Sequence, residues 1–156
     1  MLMLEIKQVT SKERIEQASE LFKEYANYLN IDLEFQNFNE ELESLPGDYS
    51  LPEGSLLLAF YKNKLAGCVA LRNFDEGICE MKRLYVRLRY RGKGIGKALA
   101  KQIFNTARKL GYTHMRLDTL PFMKEAITLY LSLGFEEIDP YRYNPYEGAK
   151  FFELKL

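Results

Sequence analysis

The chain contains no tryptophan, one histidine (His114) and two cysteines (Cys68 and Cys79). One imidazole and two thiols cannot supply a familiar zinc set, and no cluster has metal-ligand spacing, so no metal is expected. Both cysteines sit inside strand-like runs, and no secretion signal precedes them. They read as reduced core thiols. Charge of one sign is also missing, since 22 Lys and Arg stand against 22 Asp and Glu. A balanced chain has no global pull toward nucleic acid or an anionic membrane surface, so neither is expected as a partner. No apolar run approaches the roughly 20 residues that span a bilayer. The opening M-L-M-L-E lacks a basic segment followed by an apolar one, which leaves the cytoplasm as the expected compartment. Repeats, low-complexity stretches and linkers are absent too. The 156 residues, 47% apolar, fit one domain over 1–156 with a core of its own.

What is present is a clear alternation of periods. Residues 4–9 alternate apolar and polar, as a strand does. Thr10 or Ser11 caps a helix to about residue 30, with Ile15, Ala18, Leu21, Phe22, Tyr25 and Leu29 on one face. Residues 31–45 predict a short second helix, broken by Pro46-Gly47. Runs 55–61, 65–73 and 78–86, separated by tight turns, predict an antiparallel meander. A helix follows from the glycine-rich stretch 92–96 to about 110, closed by Gly111. Then come a strand over 113–118, a helix over 122–133, and a final strand pair beginning at Phe135 and ending with 150–156. The expected class is mixed α/β, with a largely antiparallel central sheet flanked by helices.

The segment Arg91-Gly92-Lys93-Gly94-Ile95-Gly96 carries the chemical information. Glycines at alternate positions let the backbone turn with its N–H groups inward. At a helix N-terminus such a nest binds phosphate through orphan donors and the helix dipole. Arg91, Lys93 and Lys97 add positive charge. The dinucleotide spacing G-x-G-x-x-G is not met. Walker A fails as well, because Ala98 follows Lys97 and its first glycine is missing. The bland alternative is a mobile hairpin tip ahead of a helix.

This hexapeptide resembles the R/Q-x-x-G-x-G/A signature of the GNAT acetyltransferases. Residues 126–135 (A-I-T-L-Y-L-S-L-G-F) resemble that family's second motif, A-x-x-L-Y-x-x-x-G-F, with Tyr130 at its tyrosine. The element order agrees over nearly the whole chain. The resemblance implies the GNAT acyl-CoA N-acyltransferase fold and acetyl-CoA as co-substrate. It implies that Arg91 to Lys97 (Arg91, Gly92, Lys93, Gly94, Ile95, Gly96, Lys97) hold the pyrophosphate. It also implies that the backbone of Leu84, Tyr85 and Val86 pairs with the pantetheine arm, beside a bulge that splays this strand from the next. Two positions depart from the pattern: Met123 stands where many members have Asn, and Leu88 where many have Pro.

Acetyl transfer to an amine needs a base, an oxyanion donor and an acid for the departing thiolate. Glu80, eleven residues before Arg91, stands at the spacing of the general base in the histone-acetylating branch. Burial is expected to raise its pKa toward neutral. Its bland reading is a strand carboxylate paired with Lys82 or Arg83, and Glu76 is a weaker rival. Tyr130 is the expected acid, against the reading of a core tyrosine. A backbone N–H near Leu84 or Tyr85 is the expected oxyanion donor. His114 is set aside as a packed or surface residue. The acceptor groove is expected among Tyr25, Tyr28, Asp32, Phe35, Gln36, Tyr141, Tyr143 and Asn144, a lining that suits a small primary amine. The competing readings are a catalytically silent acyl-CoA-binding module and a protein or peptide N-acetyltransferase. Self-association into a homodimer is left open.

Overall fold

A computed structural model describes residues 3–30, 32–34 and 37–156. Strand β1 (Leu4–Gln8) leads into helix α1 (Lys12–Leu29). Ser11 caps this helix by accepting from the Arg14 amide (3.3 Å), and Asn30, with φ 53°, ends it in the left-handed region that Asn tolerates. The expected second helix is shorter than 31–45: α2 spans Phe38–Ser44, and a 3₁₀ turn over Gly47–Tyr49 follows. Strands β2 (Ser55–Tyr61), β3 (Lys64–Asp75) and β4 (Ile78–Val86) form the predicted meander. After a 3₁₀ turn at Leu88–Tyr90 come α3 (Ile95–Lys109), β5 (His114–Thr119), α4 (Lys124–Ser132), β6 (Glu136–Ile138) and β7 (Lys150–Lys155).

The seven strands make one sheet in the order β1-β2-β3-β4-β5-β7-β6. Strands β4 and β5 run parallel, and the other neighbours are antiparallel. Strand alternation sends side chains to two faces. On one face, Ile95, Leu99, Ile103 and Ala107 of α3 bury against Val69, Leu71, Met81 and Met115. On the other, Ala18, Leu21 and Phe22 of α1 and Tyr49 bury against Leu56, Leu58 and Ala70. Each such large apolar side chain contributes roughly 1.5–3 kcal/mol on burial, so the two layers clamp the sheet from both sides. Among the described residues no helix is long and apolar enough to cross a membrane.

One irregularity positions everything that follows. Along β3 and β4, Cys68 faces Tyr85 while Ala70 faces Lys82, so two steps on β3 match three on β4. The extra residue is a β-bulge, and Arg83 within it has φ 60°, rare for a side chain of its size. The parallel ladder between β4 and β5 runs from Ile78↔His114 to Glu80↔Arg116 and stops. Strand β5 continues on β7 as far as Thr119↔Lys150, whereas β4 diverges from it. The sheet therefore opens into a fork whose prongs are residues 81–86 and 117–120.

Candidate functional site

The N-terminus of α3 has no side-chain cap. Gly94 occupies the cap position, and the first bond inside the helix is from the Ala98 amide to the Gly94 carbonyl (3.0 Å). The amides of the first turn are thus the orphan donors every helix leaves. Gly92 and Gly94 have φ of 79° and 77°, which other residues avoid. A Cβ at either would meet nothing within 4 Å, so the space beside this backbone is open to a ligand. The groove there has a volume of about 510 Å³. Leu84, Tyr85, Val86, Arg91, Gly92, Gly94, Ile95, Gly96 and Lys97 all line it, beneath the first turn of α4.

Two of the expected cations are placed differently from a simple phosphate clamp. Lys93 does not line the groove; its ammonium lies 5.2 Å over the Tyr61 ring. Arg91 lines the groove while tying its walls together. Its Nε donates to the Val86 carbonyl (2.9 Å), its Nη1 donates to the Tyr28 hydroxyl (3.1 Å), and its guanidinium stacks 4.4 Å over the Tyr28 ring. The uncapped amides, the two open glycines, Lys97 and the groove's size fit the pyrophosphate and pantetheine of a coenzyme A ester.

The fork forms a second, smaller cavity. Its walls include Lys82 and Arg83 of β4, Asp118 of β5, Asn144 of the β6–β7 loop, and Leu29 and Leu33. Tyr25, Leu84, Met123 and Tyr130 line both the groove and this cavity, so the two meet at these four residues. Tyr130 is buried, with its ring edge-on to Phe135 at 5.8 Å. Burial, reinforced by Tyr25 and the Asp118 charge, pushes its hydroxyl far above the ordinary phenol range. It stays protonated at every working pH.

Glu80 is fully buried, but the expected rise of its pKa does not occur. Burial favours the neutral acid. The charges of Lys82, Arg142 and Arg72, with a hydrogen bond from Tyr141, outweigh it and hold the carboxyl below its ordinary range. Oε1 accepts from Arg72 Nε (2.9 Å) and Arg142 Nη2 (2.8 Å), and Oε2 accepts from Tyr141 Oη (2.7 Å). A carboxylate held ionised by two guanidinium groups has little affinity for a further proton. The neighbouring Lys82 is shifted the other way. Burial, then Arg83, pull its ammonium down to about 7, while Glu80 and Asp118 partly restore it.

The other expected acceptor residues scatter. Tyr25 and Asn144 line the fork, and Tyr28 lines the groove. Tyr141 belongs to the Glu80 network, Tyr143 is exposed, and Asp32 bonds to Tyr146 through its backbone. Phe35 and Gln36 lie outside the described residues. His114 opens β5, with Nδ1 2.9 Å from Thr113 Oγ1, far from the junction along the strand. Glu76 sits in the β3–β4 turn.

Sequence reasoning misses Asp118 and reads Lys82 and Arg83 only as partners for Glu80. Arg83 bonds Glu41 with Nε at 3.0 Å and Nη2 at 2.9 Å, across 42 residues of chain. Asp118 had one available signal, a lone carboxylate at the C-terminal end of a strand parallel to its neighbour.

The model of the acetyltransferase (GNAT) family matches residues 15–135. An uncharacterized N-acetyltransferase of Dictyostelium discoideum is 36% identical, with 97% of this chain and 99% of that protein covered. An acetyltransferase structure from Streptococcus agalactiae superposes over 100% of both chains with TM-score 0.82 at 22% identity. The PaiA N-acetyltransferase of Thermoplasma acidophilum, solved in complex with coenzyme A, superposes over 99% of this chain and 100% of that one, with TM-score 0.77 at 23% identity. At these identities the two structures speak for the fold.

Proposed function

Because the chain belongs to the acetyltransferase (GNAT) family of N-acetyltransferases, we propose that it transfers an acetyl group from acetyl-CoA to a small primary amine by direct attack in a ternary complex. One observation carries this reading: the groove beside the α3 N-terminus and the fork cavity meet at Tyr130. Two reactants seated at once on either side of one buried hydroxyl need no covalent enzyme intermediate. Coenzyme A in the Thermoplasma neighbour supports the identity of the first reactant.

Acetyl-CoA would supply an activated thioester, whose acyl carbon takes the amine and whose sulfur departs. The amides of the α3 first turn, with Lys97, hold its phosphates. Residues 84–86, free of β5 on that side, hold its arm. A backbone N–H near Leu84 or Tyr85 faces the developing oxyanion. Tyr130 Oη holds the proton that the departing sulfur takes up. The amine's own proton goes to a carboxylate, directly or through water. Asp118, on the fork wall, is better suited to this than Glu80, whose oxygens already accept from Arg72, Arg142 and Tyr141.

A silent acyl-CoA-binding module would have no use for a protonated phenol where the two cavities meet. A protein or peptide acceptor would have to present its amine to a fork cavity of about 40 Å³. The test is a screen of acetyl-CoA with amines, amino acids and peptides, read by free-thiol release. Coenzyme binding without acetylation of any amine would overturn the proposal.

A further inference from the structure

We propose that the acceptor is a zwitterion, a free α-amino acid whose ammonium faces Asp118 and whose carboxylate faces Lys82. The inference rests on the transferase reading above and narrows its substrate class. A cavity of about 40 Å³ holds roughly three waters, the bulk of an amino-acid head group, while the rest of the molecule stays in the mouth.

The charges on the wall match that head group. Strand β5 contributes one carboxylate, Asp118, and β4 contributes one ammonium, Lys82. The ladder pairs Glu80 with Arg116, so Lys82 and Asp118, each two residues further on, stand on the same sheet face across the widening gap. Asp118 is half-buried, and its Oδ2 accepts from Asn144 Nδ2 (3.3 Å). The other cation of the wall, Arg83, is engaged by Glu41. Leu29, Leu33, Met81, Leu117 and Leu120 add apolar surface, with Thr119 among them.

Charge complementarity fixes the orientation. Tyr130 and Tyr25 line both the cavity and the groove, so a head group held between Asp118 and Lys82 lies beside the reacting thioester. The charged neighbours of Lys82 are Arg83, Glu80, Arg72 and Asp118. A plain amine would set hydrocarbon against this buried lysine. A carboxylate there favours its charged form and replaces lost hydration. Lys82 already interacts within the fold, and the added carboxylate joins that network.

The experiment uses matched acceptors with the full chain: phenylalanine, leucine and alanine, each with its amide and its decarboxylated amine. Initial rates of thiol release give kcat/KM, and calorimetric titration of coenzyme A checks that each variant is folded. For at least one set the amino acid should exceed both analogues by about tenfold or more, the discrimination of a site built to bind the missing group. In Lys82→Met that ratio should fall to near unity, mainly through KM, with coenzyme A affinity within about twofold of wild type. Lys82→Arg, which keeps the charge, should retain part of the preference. If Lys82 and Asp118 only neutralise each other, the ratio stays the same in Lys82→Met and the proposal is overturned. Equal rates with amino acids, amides and amines would overturn it too, while leaving the transferase reading standing. Transfer to no amine would remove both.

Discussion

Arg83 holds its backbone in the left-handed region at the bulge of β4 and grips Glu41 of α2 through two hydrogen bonds of 2.9 and 3.0 Å. The strained residue is thus also the clasp between the bulged strand and the helix over its face. Its side chain is 3% exposed, and its guanidinium lies 5.4 Å from the Phe38 ring and is pushed above the ordinary arginine range despite burial, by Tyr49 and Glu41. The fork exists because the bulge does, and the clasp keeps the bulge in one conformation.

Glu41→Gln should then destabilise the protein by about 3–5 kcal/mol, the cost of leaving a buried charge unpaired. Urea unfolding measures it. A variant as stable as the parent would mean that Arg83 finds solvent, and that the clasp does not hold the fork.

Gly94→Val should weaken coenzyme A binding by an order of magnitude or more. A β-branched residue is strained at φ 77°, and its side chain enters space that nothing in the protein fills. Gly96→Ala is the contrast. A Cβ there meets Val86 and Leu129 at 3.7 and 3.8 Å, ordinary contact distances, so affinity should hold. Calorimetric titration of both variants decides, and equal affinity in Gly94→Val would refute the nest.

Tyr130→Phe removes one hydroxyl and keeps the packing on Phe135 and Phe152. Turnover should drop by about 10²-fold, within the range of a lost general acid, with coenzyme A affinity unchanged. Unaltered turnover would make Tyr130 a core residue whose hydroxyl merely faces the junction.

The fold was legible because hydrophobic period and turn residues agree along nearly the whole chain. The meander 55–86 and the α3 stripe from Ile95 to Ala107 are examples. The glycine turn into α3 was legible because glycines at 92, 94 and 96 leave few alternatives. The fork was not. Its bulge depends on a left-handed arginine stabilised by a glutamate 42 residues away, and no local pattern encodes that pair. Glu80 illustrates the same limit for electrostatics. Its burial was foreseeable from a central strand. The sign of its pKa shift was set by Arg142 and Tyr141, which a loop brings back over the sheet.

Glu80→Gln separates the anchor from the base. Its folded pKa is lowered, so its contribution to stability is present above the ordinary carboxyl value of 4.5 and is lost as pH falls through the folded value. The variant should lose that acid dependence. It should also be less stable at neutral pH, because Arg72 and Arg142 lose their shared partner. If Glu80 is only an anchor, the rising limb of kcat/KM against pH keeps its midpoint with an acceptor of low pKa. Loss of that limb in the variant would make Glu80 the base after all.

Lys82 should show the opposite linkage. Its pKa is about 7 when folded and 10.5 ordinarily, so between these values the unfolded chain binds a proton that the folded one does not. Stability should therefore rise from pH 7 toward 10.5, by an amount on the order of a few kcal/mol, and the cost of charging the buried amine should be fully present below pH 7. The charged groups that set this value are Arg83 and Glu80 on the same strand, Arg72 on β3 and Asp118 on β5. Lys82→Met removes the titrating group and should flatten the alkaline rise. Asp118→Asn removes a charge that favours the ammonium, so it should lower the Lys82 pKa further and begin the rise at lower pH. Urea midpoints at pH 6 to 10 for the three proteins measure the effect. A wild-type curve as flat as that of Lys82→Met would mean that the ammonium reaches water, and that the β4 wall of the fork carries a full charge at neutral pH.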